Sequence, residues 1–248
     1  MEIYVLGSGS NGNATLIVNQ GKLLLIDCGV GIKLLKARLE LINVNINDIH
    51  DILITHEHSD HIKSLKYFKN CHIYGGCELD DLITINELET FSINGLNITP
   101  LLLSHDASKT YGFIIESEDE KLVYITDTGY VKNKYYQYIQ NATHYIIESN
   151  YDVSMLINSS RPKHLISRIM SNKGHLGNID CASVIKDVLG NDTKTITLAH
   201  ISKDCNKEDL AIKTFYQVMK ENFVDVSHIK VRCASREKLV IIKGSENE

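Results

Sequence analysis

Apolar residues fall along this chain in short bursts broken by turn-forming residues, a pattern of strands more than of long helices. Ala14-Thr15-Leu16-Ile17-Val18 is a β-branched run. Asn19-Gln20-Gly21 turns the chain into a second run, Lys22-Leu23-Leu24-Leu25-Ile26-Asp27, so a strand meander is predicted. Helical spacing takes over at 32–42. A short buried strand at 51–55 ends in His56-Glu57-His58-Ser59-Asp60-His61. A helix is predicted next, with Ile62, Leu65 and Phe68 on one face and Lys63, Lys66 and Lys69 outside. Asn94-Gly95 marks a hairpin, and 111–115 with 122–125 form another, turning at Glu118-Asp119-Glu120. The strands continue at 145–147 and 195–198, with helices at 162–171, 179–189 and 207–221. Segments 229–233 and 238–242 are expected to close the chain as a strand pair. The order runs strand-rich then helical, twice, with no linker. It predicts one α/β domain over 1–248, two sheets face to face with helices outside.

Composition narrows the function classes. An apolar content of 43% and 23% charged residues describe a globular protein with an ample core. A net charge of -5 excludes a globally basic nucleic-acid binder, though not a local basic patch. No basic segment leads into an apolar stretch and no apolar run approaches a membrane span, so neither a signal peptide nor a membrane association is expected. The six cysteines form no C-x-x-C and fit reduced thiols in the cytoplasm. Gly7-Ser8-Gly9-Ser10-Asn11-Gly12 fits G-x-G-x-x-G, with Asp27 where a dinucleotide-binding fold carries its ribose carboxylate. Such a site needs a helix after the glycines, and a strand meander stands there instead, which excludes it.

The strongest chemical signal is Thr55-His56-Glu57-His58-Ser59-Asp60-His61. Histidines at i and i+2 point the same way from an extended strand end, and Asp60 and His61 follow at the turn. Three later apolar runs end in His105, Asp127 and His200. Together they make a two-metal set: His56, His58 and His105 for one ion, Asp60, His61 and His200 for the other, Asp127 bridging. Imidazole with carboxylate suits Zn or Mn, and Fe as well.

With these residues the chain resembles the metallo-β-lactamase superfamily, whose H-x-H-x-D-H motif His56–His61 matches in full. Its later His, Asp and His motifs correspond to His105, Asp127 and His200, and its early acidic motif to Asp27. The resemblance covers essentially the whole chain and implies an αββα four-layer sandwich. Ile147-Glu148-Ser149-Asn150 and Gly174-His175-Leu176-Gly177-Asn178 resemble paired motifs of its tRNA-maturing members, in which the Glu orients the His and the His protonates the leaving oxygen. The alternative for Glu148 and His175 is an ordinary cap or strand-end hydrogen bond.

The blocks GSGSNGNAT, THEHSDHIKSL, SHDA, YITDTGYV, ESNYDV, GHLGN and LAHIS resemble the WalJ-type (YycJ-like) branch, stand-alone bacterial 5′-to-3′ DNA exonucleases. Gly177 departs from the Ser expected there. The interval from Asp127 to His200 is too short for a β-CASP insertion, and no substrate-gripping arm of tRNA-processing enzymes is evident. The resemblance implies a dinuclear hydrolase with a bridging hydroxide oriented by Asp60, DNA as substrate, and no inferable protein partner. A hydroxyacyl-thioester hydrolase or lactonase on the same ions is the alternative. Ser8, Ser10 and Asn11, with Asn178, are candidate substrate contacts; equally, 7–12 is a tight turn buttressing the metal loops. Arg161, Lys163, Arg168 and Lys173, with Lys63, Lys66 and Lys69, are candidates for a basic rim.

Overall fold

The computed structural model describes residues 1–244. The N-terminal half contains β1 (Glu2–Gly7), β2 (Ala14–Asn19), β3 (Lys22–Ile26), α1 (Ile32–Glu40), β4 (Asp51–Leu53), α2 (Ser59–Ile62), β5 (His72–Gly75) and β6 (Ile83–Thr84). It continues through β7 (Phe91–Ile93), β8 (Leu96–Leu102), β9 (Tyr111–Glu116), β10 (Lys121–Ile125), α3 (Tyr136–Ile139) and β11 (His144–Glu148). The remainder is α4 (Val153–Ile157), α5 (Lys163–Ile169), α6 (Asn178–Val188), β12 (Thr195–Ala199), α7 (Glu208–Glu221), β13 (Lys230–Cys233) and β14 (Val240–Lys243). Two seven-stranded sheets result, ordered β14-β1-β2-β3-β4-β5-β6 and β13-β12-β11-β10-β9-β8-β7.

The apolar runs are continuous because both faces of each sheet are covered. Ile3, Val5, Ile17, Leu24 and Ile26 point inward, onto Ile98, Phe113, Ile115 and Tyr124 of the facing sheet. Their neighbours Tyr4, Leu6, Leu16 and Leu25 point outward, onto Leu35 and Leu39 of α1. Val123, Ile125, Ile147 and Leu198 pack likewise under Ile185 of α6 and Phe215 of α7. This is the αββα sandwich expected.

Two local expectations are corrected. The helix after the histidines is only Ser59–Ile62, followed by a single 3-10 turn at Leu65–Tyr67. Ser64 interrupts it: its N–H donates to Cys28 O and its Oγ to Val30 O, tying the chain down to the loop after β3. The last two strands do not pair with each other. β13 lies parallel to β12 in one sheet and β14 antiparallel to β1 in the other, because each sheet had an open edge to fill. The intervening loop crosses the sandwich, and Arg38 of α1 holds it through Arg236 O.

Glu120, in the β9–β10 turn, staples the two sheets together. Its carboxylate accepts from Lys243 Nζ at 2.7 Å and from the α-amino group at 3.1 Å, and lies 3.4 Å from His144 Nε2. Burial alone would raise its pKa, but Lys243 and the α-amino charge outweigh burial and lower it to about 2. Its stabilisation is therefore present above the unfolded value of 4.5 and lost as the pH falls toward 2. Glu120→Gln is expected to cost about 2 kcal/mol at pH 7, with the deficit shrinking below pH ~4.5. Urea unfolding at pH 7 and pH 3 checks this, and a deficit independent of pH would rule it out.

Candidate active site

β3 and β4 run parallel, as do β10, β11 and β12, and β8 has the same direction as β10 through its two antiparallel steps. Six C-terminal strand ends therefore open on one edge of the sandwich, where α/β sheets place their ligands. Asp27 follows β3, His56–His61 follow β4, His105 follows β8, Asp127 follows β10, Glu148 ends β11 and His200 follows β12. Asp27, Asp127 and His200 leave their strands in the left-handed backbone region, with φ of 58°, 56° and 53°. Asp and His tolerate that conformation better than branched residues, so strand ends can bend sharply without glycine.

The side chains expected as ligands are brought together. His56, His58 and His105 form one group whose donor atoms lie within 4.8 Å of one another; Asp60, His61 and His200 form a second; Asp127 joins His56 and His61 in a third. Three of these atoms, His56 Nε2, His200 Nε2 and Asp127 Oδ2, are buried with no hydrogen-bond partner among the described residues. Buried polar atoms are nearly always paired, so three converging orphans of metal-ligating chemistry fit a pair of divalent cations.

The electrostatics agree. Burial, aided by the neighbouring imidazoles, holds His56 neutral, the form that binds a metal. Burial also opposes charge on His61, but Asp27 and Asp127 outweigh it and raise that imidazole to about 10. Asp127, Asp60 and Glu148 overcome burial at His200 in the same direction. The site is a buried knot of carboxylates that favours positive charge.

Partners behind the ligands fix ring orientation. His61 Nδ1 donates to Asp27 Oδ2 at 2.7 Å, and Asp27 also accepts from the Thr55 N–H and hydroxyl. His105 Nδ1 donates to Gly174 O at 3.0 Å. Glu148 Oε1 accepts from both His175 Nδ1 and His200 Nδ1, each at 2.8 Å. Its Oε2 accepts from the Thr128 and Leu176 N–H groups. The Glu148–His175 pairing was legible; the second role of Glu148, holding His200, was not. Asn13, Thr55 and Glu57 were also passed over. Asn13 Nδ2 lies 3.0 Å from His61 Nε2 and 3.4 Å from Asp60 Oδ2. Glu57 accepts from Ser108 N and Oγ, strapping the His105 loop to the His56–His61 loop. All three lie within the quoted blocks, which is the one signal they carry.

The candidate substrate contacts divide. Ser8 is buried and its Oγ accepts the His200 N–H at 2.8 Å. Asn178 is buried, linked to Ser149 and Asn206. Both are better placed as internal braces than as substrate contacts: each is buried, Ser8 Oγ is directed at the His200 backbone, and both amide atoms of Asn178 are in use within the fold. Ser10 and Asn11 are exposed, and Ser10 lines a small cleft with His175, Arg161 and Arg168. Gly9 N–H and Gly12 N–H are already taken by Asn13 Oδ1 and Gly9 O, so the loop offers fewer backbone donors than an open anion nest. Nearby, Gly29 permits the contact between loops: a Cβ there would stand 1.6 Å from Asp60 O.

Residues 7–76 match the metallo-beta-lactamase superfamily. The chain is 36% identical over 239 residues to exodeoxyribonuclease YycJ of Bacillus anthracis, covering 89% of this chain and 90% of that one. It is 34% identical over 228 residues to exodeoxyribonuclease WalJ of Streptococcus pneumoniae, covering 85% of each. The crystal structure of the metallo-beta-lactamase fold protein YhfI from Bacillus subtilis is similar in fold, with TM-score 0.72, 18% identity and coverage of 96% of this chain and 98% of that one. Among the described residues no helix is long and apolar enough to cross a membrane. The knot of histidines and carboxylates and the extent of these matches agree: the chain belongs to the metallo-β-lactamase superfamily, in the family of the YycJ and WalJ exodeoxyribonucleases.

Proposed function

We propose that the chain is a metal-dependent 5′-to-3′ DNA exonuclease, the whole of it acting as one catalytic domain. The observation that carries this is the bifurcated Glu148 Oε1, which binds a ligand imidazole, His200, and a cleft imidazole, His175, at 2.8 Å each. A thiolate needs no proton on leaving, whereas an alkoxide does, so an imidazole held there favours phosphodiesters over thioesters.

His56, His58 and His105 would hold one divalent cation and Asp60, His61 and His200 a second, with Asp127 between them; Zn or Mn suits the donors, as does Fe. Such ions supply Lewis acidity and a water deprotonated near neutral pH. Asp60, half-buried beside His61 and His200, orients the attacking water. His175 keeps Nδ1–H on Glu148 and, as imidazolium, presents Nε2–H to the leaving oxygen. As the water oxygen bonds to phosphorus, the P–O bond to the leaving oxygen breaks and that oxygen takes the His175 proton. Ser10 and Asn11 are placed to meet the strand. DNA is then its partner, and the cytoplasm, where the six free thiols stay reduced, its compartment.

The test is digestion of 5′-end-labelled and 3′-end-labelled duplex DNA by protein loaded with Mn or Zn. Stepwise loss from the 5′ end is expected. His175→Ala should slow it by about 10²–10⁴-fold, while hydrolysis of a p-nitrophenyl phosphodiester, whose leaving group needs no proton, should barely change. No cleavage of DNA or RNA by protein carrying two ions would end this reading in favour of a thioester or lactone substrate.

A further inference from the structure

We infer that the cleft beside His175 is a binding subsite for the terminal 5′-phosphate of a DNA strand, gripped by Arg161 and Arg168. The inference rests on the exonuclease reading and specifies which end of the substrate the site takes. The cleft has a volume of about 150 Å³, and its wall includes Ser10, Arg161, Arg168, His175 and Ser202. Two guanidinium forks and two hydroxyls facing one small space are phosphate-binding chemistry. The other basic side chains read from the sequence, Lys63, Lys66, Lys69, Lys163 and Lys173, take no part in that wall.

Three details point to a ligand. Arg161 Nε is buried with no hydrogen-bond partner among the described residues, a donor that the fold leaves unsatisfied. The rest of the arginine pairing lies at the surface, each pair with one largely exposed partner: Arg161, 31% exposed, reaches Asp204, 64% exposed, and Arg168, 59% exposed, reaches Asp106, 26% exposed. Exposed pairs of this kind are weak and exchange readily for a better anion. Ser202 Oγ accepts from the Cys205 N–H, which leaves its own proton to donate. Among the described residues Asp106 is the one carboxylate in the cleft wall; it holds Arg168 across the mouth until a phosphate replaces it.

Size and place identify which phosphate. The volume falls short of the roughly 300–1,000 Å³ of a site that encloses a whole small-molecule ligand, so it suits a phosphate group and not a continuing strand. The cleft lies on the His175 side, where the leaving oxygen departs. With a 3′ oxygen leaving, the departing unit is the end nucleotide, and the one phosphate it retains is its 5′-phosphate. A grip there selects phosphorylated ends and sets the scissile bond one nucleotide inward.

The experiment compares 5′-phosphate with 5′-hydroxyl ends in two ways. The first is kcat/KM for digestion by the metal-loaded protein. The second is calorimetric binding of the dinucleotides pdTdT and dTdT, which requires no cleavage. The phosphorylated form is expected to be favoured by about 10- to 100-fold in both, and Arg161→Gln and Arg168→Gln should each collapse that ratio. Equal treatment of the two ends, or a ratio surviving both substitutions, overturns the subsite. Digestion without end preference would do so while leaving the exonuclease reading intact. Tighter binding of pdTdT, lost in both variants, by protein that cleaves no DNA would support the subsite and sink the exonuclease reading instead.

Discussion

Asp127→Asn is expected to abolish digestion, by about 10³-fold or more, and to lower the metal content below two ions per chain. The carboxylate is buried, with four imidazoles within 4 Å of it. Its Oδ2 lies 3.1 Å from His61 Nε2, and its Oδ1 lies 3.3 Å from His200 Nδ1, 3.5 Å from His175 Nδ1 and 3.9 Å from His105 Nε2. Burial works against its charge, yet His200 and His61 hold its pKa well below the usual carboxylate range. It is therefore held as an anion, the form that a ligand placed between two cations would need. Asparagine keeps the shape and accepts the left-handed backbone at this position, so the fold should survive while the charge is lost. Loss of about 4 kcal/mol of charge stabilisation corresponds to the 10³-fold expected. Metal analysis beside the digestion rate checks it. Wild-type activity with two ions bound would show that Asp127 is not a bridging ligand.

The second large effect is at Glu148. All of its accepting capacity is in use: Oε1 for two imidazoles, Oε2 for two backbone N–H groups. In Glu148→Gln the amide NH2 must face one of those donor pairs, whichever way it turns. The variant should lose 10- to 100-fold in metal affinity through His200, by the usual effect of removing a ligand's partner, about 10²-fold more through His175, and several kcal/mol of stability. His175→Ala is the control, since it should lose the acid and retain the metal. A Glu148→Gln variant that binds metal like the wild type would separate the two imidazoles and leave Glu148 a partner of His175 alone.

Much of the site was legible because its parts are local. A strand end carrying His56, His58, Asp60 and His61 within six residues is encoded by alternation and spacing, and each later ligand closes an apolar run. The sandwich was legible for a similar reason: runs apolar on both faces need a cover on both. The failures are non-local. The helix over 62–69 has the right spacing, but Ser64 is bound to Cys28 and Val30, far back in the chain. Nothing in 229–242 says that its two strands belong to opposite sheets.

By itself the sequence determined which metal-capable side chains stand at strand ends, because strand period and ligand spacing act over a few residues. Only the tertiary structure decided how those side chains share their hydrogen bonds. Glu148 meets His175 across 27 positions and His200 across 52, and Ser8 reaches His200 across 192. It also decided that Ser8 and Asn178 brace the fold from inside, while Arg161 and Arg168 stand at the cleft. Burial and the pairing of donors with acceptors depend on which segments the sheets bring together, and no local pattern encodes that.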